Sequence, residues 1–480
     1  MSGGDAGGAR ASGGGRRAPR RRPAAPRTRV QPARRVAFTV LRAVDADDAY
    51  ANLLLPREIE RAGLSAADAG LATELTYGTL RRQGTYDAVL AIAADRDPDA
   101  IDPAVRDALR LGIHQILATR VASHAAVNES VELAREAGGA GAAGFANAVL
   151  RRVSRDTPGA WLERIAARAR SDDERLGIET SHPVWIIRAL RRALAAEGRE
   201  AELDALLAAD NASPRVSMVA LPGLAEPSEP RSAFSPVGFA LDGGDPDPVV
   251  RASGGRVRVQ DEGSQLVALV LTRLRPVTPG ERWLDLCAGP GGKTALLAAE
   301  ALAGGALLEA NEVVPARAGP VRRAIAAVPL DVTVHERDGR ELAAERPGAY
   351  DRILVDAPCT GLGALRRRPE ARWRKQPADV AALTALQEEL LIAAFGALAP
   401  GGILAYVTCS PHLAETAAVV DAAMARLGAA AERLDARAAL QSVARTPLDL
   451  PPAGDGRTAQ LWPHRHGTDA MFLALVRRIA

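Results

Sequence analysis

Cysteine is scarce in this chain, so the places where it stands carry information. Three cysteines occur in 480 residues, Cys287, Cys359 and Cys409, and no two form a CxxC pair. That spacing indicates neither a zinc site nor a disulfide framework, and no metal is expected. Asp356-Ala357-Pro358-Cys359 closes the apolar run Arg352-Ile353-Leu354-Val355, and Thr408-Cys409-Ser410-Pro411 closes Ile403-Leu404-Ala405-Tyr406-Val407. An isolated cysteine at a strand end is ordinarily a small buried hydrophobe. Two at equivalent strand ends, each in a Pro-containing turn, point instead to thiol chemistry. If the two strands are neighbours, their ends lie about 5 Å apart and both thiols face one pocket. Such a pair suits covalent catalysis at an unreactive pyrimidine. A thiolate adding at carbon 6 of cytosine makes carbon 5 nucleophilic toward a methyl sulfonium, and loss of the carbon-5 proton then releases the enzyme. The attacking group must be a thiolate, favoured in an electropositive, partly open site. Cys359 and Cys409 are the two candidate working thiols, while Cys287 is read as packing and loop lining.

A glycine loop lies upstream. Cys287-Ala288-Gly289-Pro290-Gly291-Gly292-Lys293-Thr294 follows the apolar run Arg282-Trp283-Leu284-Asp285-Leu286 and leads into Ala295-Leu296-Leu297. A phosphate-binding P-loop needs glycine where Cys287 stands, and a dinucleotide fingerprint from Gly289 needs a small residue where Thr294 stands, so both patterns fail. The remaining reading is the cofactor loop of an S-adenosylmethionine methyltransferase. Glu309, placed at the end of the next strand, is the expected ribose carboxylate, and Asp338, after the third strand, the expected adenine contact. Lys293 and Lys375 are the only lysines among 61 basic residues, which singles out a compact ammonium beside the loop.

These groups require a sheet. From Val257 onward short apolar runs alternate with helical stretches, which predicts a mostly parallel, Rossmann-like α/β sheet over 256–480 with ligands at the carboxyl ends of its strands. Residues 34–157 read as an all-helical domain: Val36, Ala37, Val40, Leu41 and Val44 share one helix face, Asp102-Pro103 opens another helix, and Gly138-Gly139 interrupts a third. Residues 158–255 read as linker helices and a small α+β subdomain. A lone His124 is taken as a helix-start residue, since no ligand partner stands at metal spacing.

The net charge of +3 conceals a strong asymmetry: residues 1–35 hold ten arginines against Asp5, an excess of +9 that leaves −6 for the rest. The Arg-rich tail, 1–33, is expected to be disordered and able to neutralise phosphates, or simply solvated. No run of about 18 apolar residues appears, so the expectation is a cytoplasmic chain with no membrane partner.

The motif set resembles a known family. Arg35-Val36-Ala37, Ser123-His124-Ala125-Ala126-Val127-Asn128-Glu129 and Gly144-Phe145-Ala146-Asn147-Ala148-Val149-Leu150-Arg151-Arg152 are similar to the NusB-like RNA-binding module. Cys287 to Thr294, Asp356 to Cys359, and Thr408 to Ser410 are similar to RNA 5-methylcytosine methyltransferases, and the combination resembles the RsmB/Sun family, which methylates 16S ribosomal RNA. The resemblance implies an S-adenosyl-L-methionine cofactor, an RNA partner and a monomer. It makes Cys409 the nucleophile, Cys359 the residue assisting release, and Asp356 the group bonded to cytosine, with Lys293 in the same pocket. It implies that Cys287, Ala288, Gly289, Pro290, Gly291, Gly292, Lys293, Glu309, Asp338 and Asp356 hold the cofactor. The basic run gives Arg366, Arg367, Arg368, Arg372, Trp373 and Lys375 as expected RNA contacts, against a solvated loop. Two departures stand out: Thr416 follows Glu415 where the family often has Asn nearby, and Asn311 stands where Asp is commoner. The same chemistry on transfer RNA, and an RNA-binding assembly factor without turnover, are the alternative functions.

Overall fold

The computed structural model describes residues 3–5 and 30–479, so most of the arginine-rich tail lies outside the described residues. The helical body starts at Pro32–Ala46 and continues through Ala51–Arg61, Ala66–Arg81, Gln83–Ala93 and Pro103–Ala118. Asp102 caps the last of these, its side chain accepting from the Ala104 and Val105 N–H groups, and Pro103 occupies the first turn, where no N–H is needed. Ser123–Val153 is two helices joined at Gly139, whose φ of 76° breaks the helical path. Val36, Val40, Leu41, Leu75, Leu90, Leu109, Leu133 and Leu150 are fully or almost fully buried in one core. Each such side chain contributes about 1.5–3 kcal/mol by leaving water. Trp161, from the following helix Pro158–Ala166, seals the same core and donates its indole N–H to Val153 O at 3.0 Å.

Helices Asp172–Thr180, Val184–Ala196 and Leu203–Asn211 lead to a small antiparallel sheet. Its strands are β1 (Val216–Ala220), β2 (Gly238–Leu241) and β3 (Val257–Val259), in the order β2-β1-β3. The third strand comes from beyond residue 255, so this sheet runs directly into helix Glu262–Arg273 of the larger domain.

The main sheet contains β4 (Arg282–Asp285), β5 (Leu307–Asn311), β6 (Val332–His335), β7 (Tyr350–Asp356), β8 (Leu398–Thr408), β9 (Ala431–Leu434), β10 (Ala459–Gln460) and β11 (Phe472–Arg478). Its order is β10-β11-β8-β7-β4-β5-β6, with β9 paired to β11. Strands β6, β5, β4, β7 and β8 are mutually parallel, while β11 runs antiparallel beside β8. Helices Glu262–Arg273, Gly292–Gly304 and Ala436–Val443 cover one face, and Gly339–Ala344, Pro377–Ala397 and Ala417–Leu427 the other. Pro377–Ala397 is long and apolar enough to span a bilayer by length and composition. Its Leu390, Leu391, Ala394 and Phe395 are buried against the sheet. The chain moves outward from β4 through β5 and β6, then returns to β7 on the other side of β4. That reversal opens a crevice at the carboxyl ends of β4 and β7.

Candidate active site

The glycine loop fills one side of the crevice. Ala288 N–H donates to Asn311 O at 2.8 Å, tying the loop to the end of β5, and Gly291 N–H closes a turn on Ala288 O at 2.7 Å. Gly291 has φ +104°, and a Cβ there would lie 2.6 Å from Ala324 Cβ and 2.8 Å from Val321 Cα, so both backbone and packing demand glycine. Helix Gly292–Gly304 begins directly after it. Thr294 Oγ1 donates to Asp285 Oδ2 at 2.7 Å, while the second oxygen of that wholly buried carboxylate has no partner among the described residues. Burial pushes the Asp285 carboxyl up to about 7. Burial also pushes the Cys287 thiol far up, so Cys287 stays protonated in its apolar setting.

On the opposite side, β7 and β8 are neighbours in register, Asp356 opposite Val407. The turns that follow bring Cys359 Sγ to 3.5 Å from Cys409 Sγ, both thiols free. The Cys359 hydrogen bond holds Cys409 below the ordinary thiol range despite burial and the nearby Asp356 charge, with Arg368 and Lys293 acting in the same direction as the bond. The same hydrogen bond, followed by burial, holds Cys359 well above that range. Of the three cysteines, Cys409 is therefore the one disposed to be a thiolate. Lys293 Nζ lies 2.7 Å from Asp356 Oδ2, and although burial lowers its pKa, Asp356 outweighs burial and keeps the ammonium charged. Loop, cation, carboxylate and two thiols thus share one crevice.

Two expectations require correction. Glu309 does not close its strand: β5 continues to Asn311, and Glu309 pairs across the sheet with Leu284 and Thr333. Its carboxylate is held by Arg282 at 3.2 Å, His335 Nε2 at 2.8 Å and Arg346. The residue that meets the glycine loop is Glu312. Its Oε2 accepts from Gly289 N–H at 2.9 Å and its Oε1 from Val314 N–H at 2.9 Å. A Cβ on Gly289 would lie 2.0 Å from Glu312 Oε2. Asn311, the residue in the unusual position, is buried and bonds Leu286 O and Arg337 O at 3.1 Å each, joining the ends of β4, β5 and β6. Asp338 caps helix Gly339–Ala344 and pairs with Arg340.

The second correction concerns the basic run. Arg372 is wholly buried, donating to Arg81 O (2.9 Å), Ser181 O (3.2 Å), Asp210 O (2.9 Å) and Asn211 Oδ1 (2.7 Å). Arg366 is buried beside Asp261 and Asp469 and donates to Gly467 O at 2.6 Å. Arg367 pairs with Asp469. Arg374 donates to Val44 O and Ala49 O, and the Trp373 ring edge lies over Gly84. Arg372 is thus a fastener between domains and Arg366 one within the α/β domain, because buried guanidinium groups must find acceptors inside the protein. Arg368 and Trp373 remain exposed, and Lys375 is half-buried.

A model of the 16S rRNA methyltransferase RsmB/F family matches residues 271–477, and a NusB family model matches 31–155. The ribosomal RNA small subunit methyltransferase B of Pseudomonas putida is 35% identical over 415 residues, covering 83% of this chain and 90% of that one. This chain belongs to the RsmB/F family. A Mycobacterium tuberculosis protein provisionally named a methyltransferase, Rv1407, is 48% identical over 472 residues, 96% of this chain and 99% of that one. The crystal structure of PH0851 superposes with a TM-score of 0.77 over 94% of this chain and all of that chain, at 22% identity, and shows the shared fold. As an RsmB/F member the protein is an S-adenosylmethionine-dependent RNA methyltransferase with a NusB helical domain in front of its α/β catalytic domain. Its residues fit that cofactor: Gly291, which no larger residue can replace, an orphaned Asp285 oxygen and the acidic residue after β5 lie together around the glycine loop.

Glu312 and Glu415 escaped the sequence reading as site residues. The signal available for Glu312 was its position before Val313-Val314-Pro315, where proline marks the next helix start and puts the strand end later than Glu309. Glu415 enters that reading only as the glutamate of the motif around Cys409, six residues after it, with no role given to it.

Proposed function

We propose that the protein methylates carbon 5 of a cytosine in 16S ribosomal RNA, with Cys409 forming a covalent bond to carbon 6. The observation that carries this reading is the 3.5 Å approach of Cys359 and Cys409, with opposite protonation tendencies, in the crevice shared with the glycine loop.

The chain's own groups divide the work. The backbone of residues 287–293 would line the cofactor, with Glu312 proposed for the ribose hydroxyls and Asp338, just after β6, for the adenine. S-Adenosylmethionine supplies, when bound, the electrophilic methyl group that carbon 5 takes. Cys409 thiolate donates its electron pair to carbon 6, which moves the 5,6 double-bond pair toward carbon 5. Asp356 accepts a hydrogen bond from the cytosine amino group, and Lys293, paired with Asp356, stabilises the Cys409 thiolate. Cys359 assists release: the carbon-5 proton passes to solvent water, its carbon–hydrogen pair re-forms the 5,6 double bond, and the sulfur–carbon pair returns to Cys409. A target base reaches such a crevice extruded from its stack. The helical domain, residues 34–157, with exposed Arg368 and Trp373 and half-buried Lys375, supports an RNA path leading there.

The test is to incubate the protein with labelled S-adenosylmethionine and undermodified small-subunit RNA, with transfer RNA in parallel, and to map 5-methylcytosine. Label at carbon 5 of a 16S cytosine is expected. Label confined to transfer RNA, or none on RNA, overturns the reading.

A further inference from the structure

The sheet alone does not determine where the two sulfur atoms stand. The β7–β8 register ends at Asp356 and Val407, one further bond joins Ala357 N–H to Val407 O at 2.9 Å, and both cysteines lie beyond it. What spans the two turns is Glu415, a fully buried side chain in a short helical turn after β8. Its Oε1 accepts from Thr360 N–H at 2.7 Å and Gln387 Nε2 at 3.2 Å, and its Oε2 from Ser410 Oγ at 2.6 Å and Thr360 Oγ1. Thr360 follows Cys359 and Ser410 follows Cys409, so one carboxyl group holds the residue next to each thiol. The two hydroxyls also approach one another at 3.1 Å. Gln387 extends the network to Pro358 O at 2.8 Å, and Tyr406 OH donates to Glu415 O at 2.8 Å.

A buried carboxyl group met by neutral donors, with no ion pair among the described residues, is a poor device for stability alone, because desolvation offsets much of what the hydrogen bonds contribute. It is an effective spacer, because four bonds converge from three chain segments. A thiol hydrogen bond to a thiolate needs the sulfurs held close, and small misplacement in a reacting pair costs rate steeply.

We propose that Glu415 is the positioning residue of the catalytic dithiol, clamping Thr360 and Ser410 so that Cys359 stays within hydrogen-bond reach of Cys409. The proposal rests on the covalent reading above for its effect on turnover, but not for its effect on the thiols themselves.

The test uses the full chain and two readouts, one of them free of RNA. Iodoacetamide alkylation of Cys409 is followed against pH by peptide mass, and kcat and KM are measured with small-subunit RNA. In Glu415→Gln, one acceptor oxygen becomes a donor facing other donors. The alkylation profile should move toward that of an ordinary thiol, and kcat should fall about tenfold or more with KM for RNA and cofactor within about threefold of wild type. Thr360→Val should move both readouts the same way, and Thr360→Ser, which keeps both donors, should restore them; this pair decides the matter if Glu415→Gln fails to fold. A wild-type alkylation profile in folded Glu415→Gln and in Thr360→Val overturns the proposal. If the variants shift alkylation while wild type forms no 5-methylcytosine, Glu415 still positions the thiols and the functional reading fails instead.

Discussion

Cys359 Sγ and Cys409 Sγ lie 3.5 Å apart, and their shared hydrogen bond pushes the two protonation equilibria in opposite directions. One thiol is thereby reserved as nucleophile and the other as a proton-bearing partner. Cys409→Ala should abolish methyl transfer and form no protein–RNA adduct. Cys359→Ala should still attack RNA but release it slowly, with turnover down by about 100-fold or more, the scale of a lost acid–base group. Denaturing gel electrophoresis with labelled RNA would show the retained adduct; transfer by Cys409→Ala would contradict the assignment.

Lys293 and Asp356 act on Cys409 with opposite signs. An ammonium favours the thiolate, so Lys293→Met should raise the Cys409 pKa and move alkylation and turnover to higher pH. Asp356→Asn removes a negative charge and should move alkylation to lower pH, while transfer falls because the cytosine loses its acceptor. Rate–pH profiles of alkylation without RNA separate the two; parallel shifts in both variants would contradict this electrostatic account.

Glu312, and not Glu309, faces the glycine loop. Glu312→Ala should weaken S-adenosylmethionine binding by about tenfold or more, the scale of a lost hydrogen bond to a charged group. Glu309→Gln should leave cofactor affinity within about twofold, since its partners are Arg282, His335 and Arg346. Titration calorimetry would rank them, and equal losses would return Glu309 to the cofactor site.

Arg372 and Arg368 are neighbours in sequence with different expected effects. Arg372→Met leaves several buried carbonyl oxygens without a donor and should destabilise the junction by about 3 kcal/mol, seen as a lower melting temperature. It should not change the salt dependence of RNA binding. Arg368→Ala should leave the melting temperature unchanged and reduce that salt slope by about one. The opposite pattern would place Arg372 on the RNA and Arg368 in the structure.

Local pattern carried much of this protein. The Asp102-Pro103 helix start, the break at Gly139 and the strand-like runs before each cysteine depend on near neighbours, and the structure has each of them. The failure of both nucleotide fingerprints at Cys287 and Thr294 was equally local, since each pattern is a fixed spacing. The α/β class followed from alternation alone. The nearness of the two thiols was legible only on the condition that their strands are adjacent, which the β7–β8 pairing fulfils.

Tertiary structure decided the rest, wherever a polar group's role depends on a partner distant in sequence. The end of β5 is set by its ladders with β4 and β6, which carried the strand past Glu309 and gave the loop-facing position to Glu312. The basic run looked solvent-facing because arginine usually is, but Arg372 finds its acceptors at residues 81, 181, 210 and 211, which no window of neighbouring residues contains. Glu415 is the same case at the active site: composition marks it as a surface charge, and only folding brings Thr360, Ser410 and Gln387 around it. The sequence by itself determined that two cysteines and a glycine loop share the working end of a sheet, because spacing and periodicity are local. Which carboxylates and arginines serve that end was decided by burial, which forces every polar group to take the partners the fold provides.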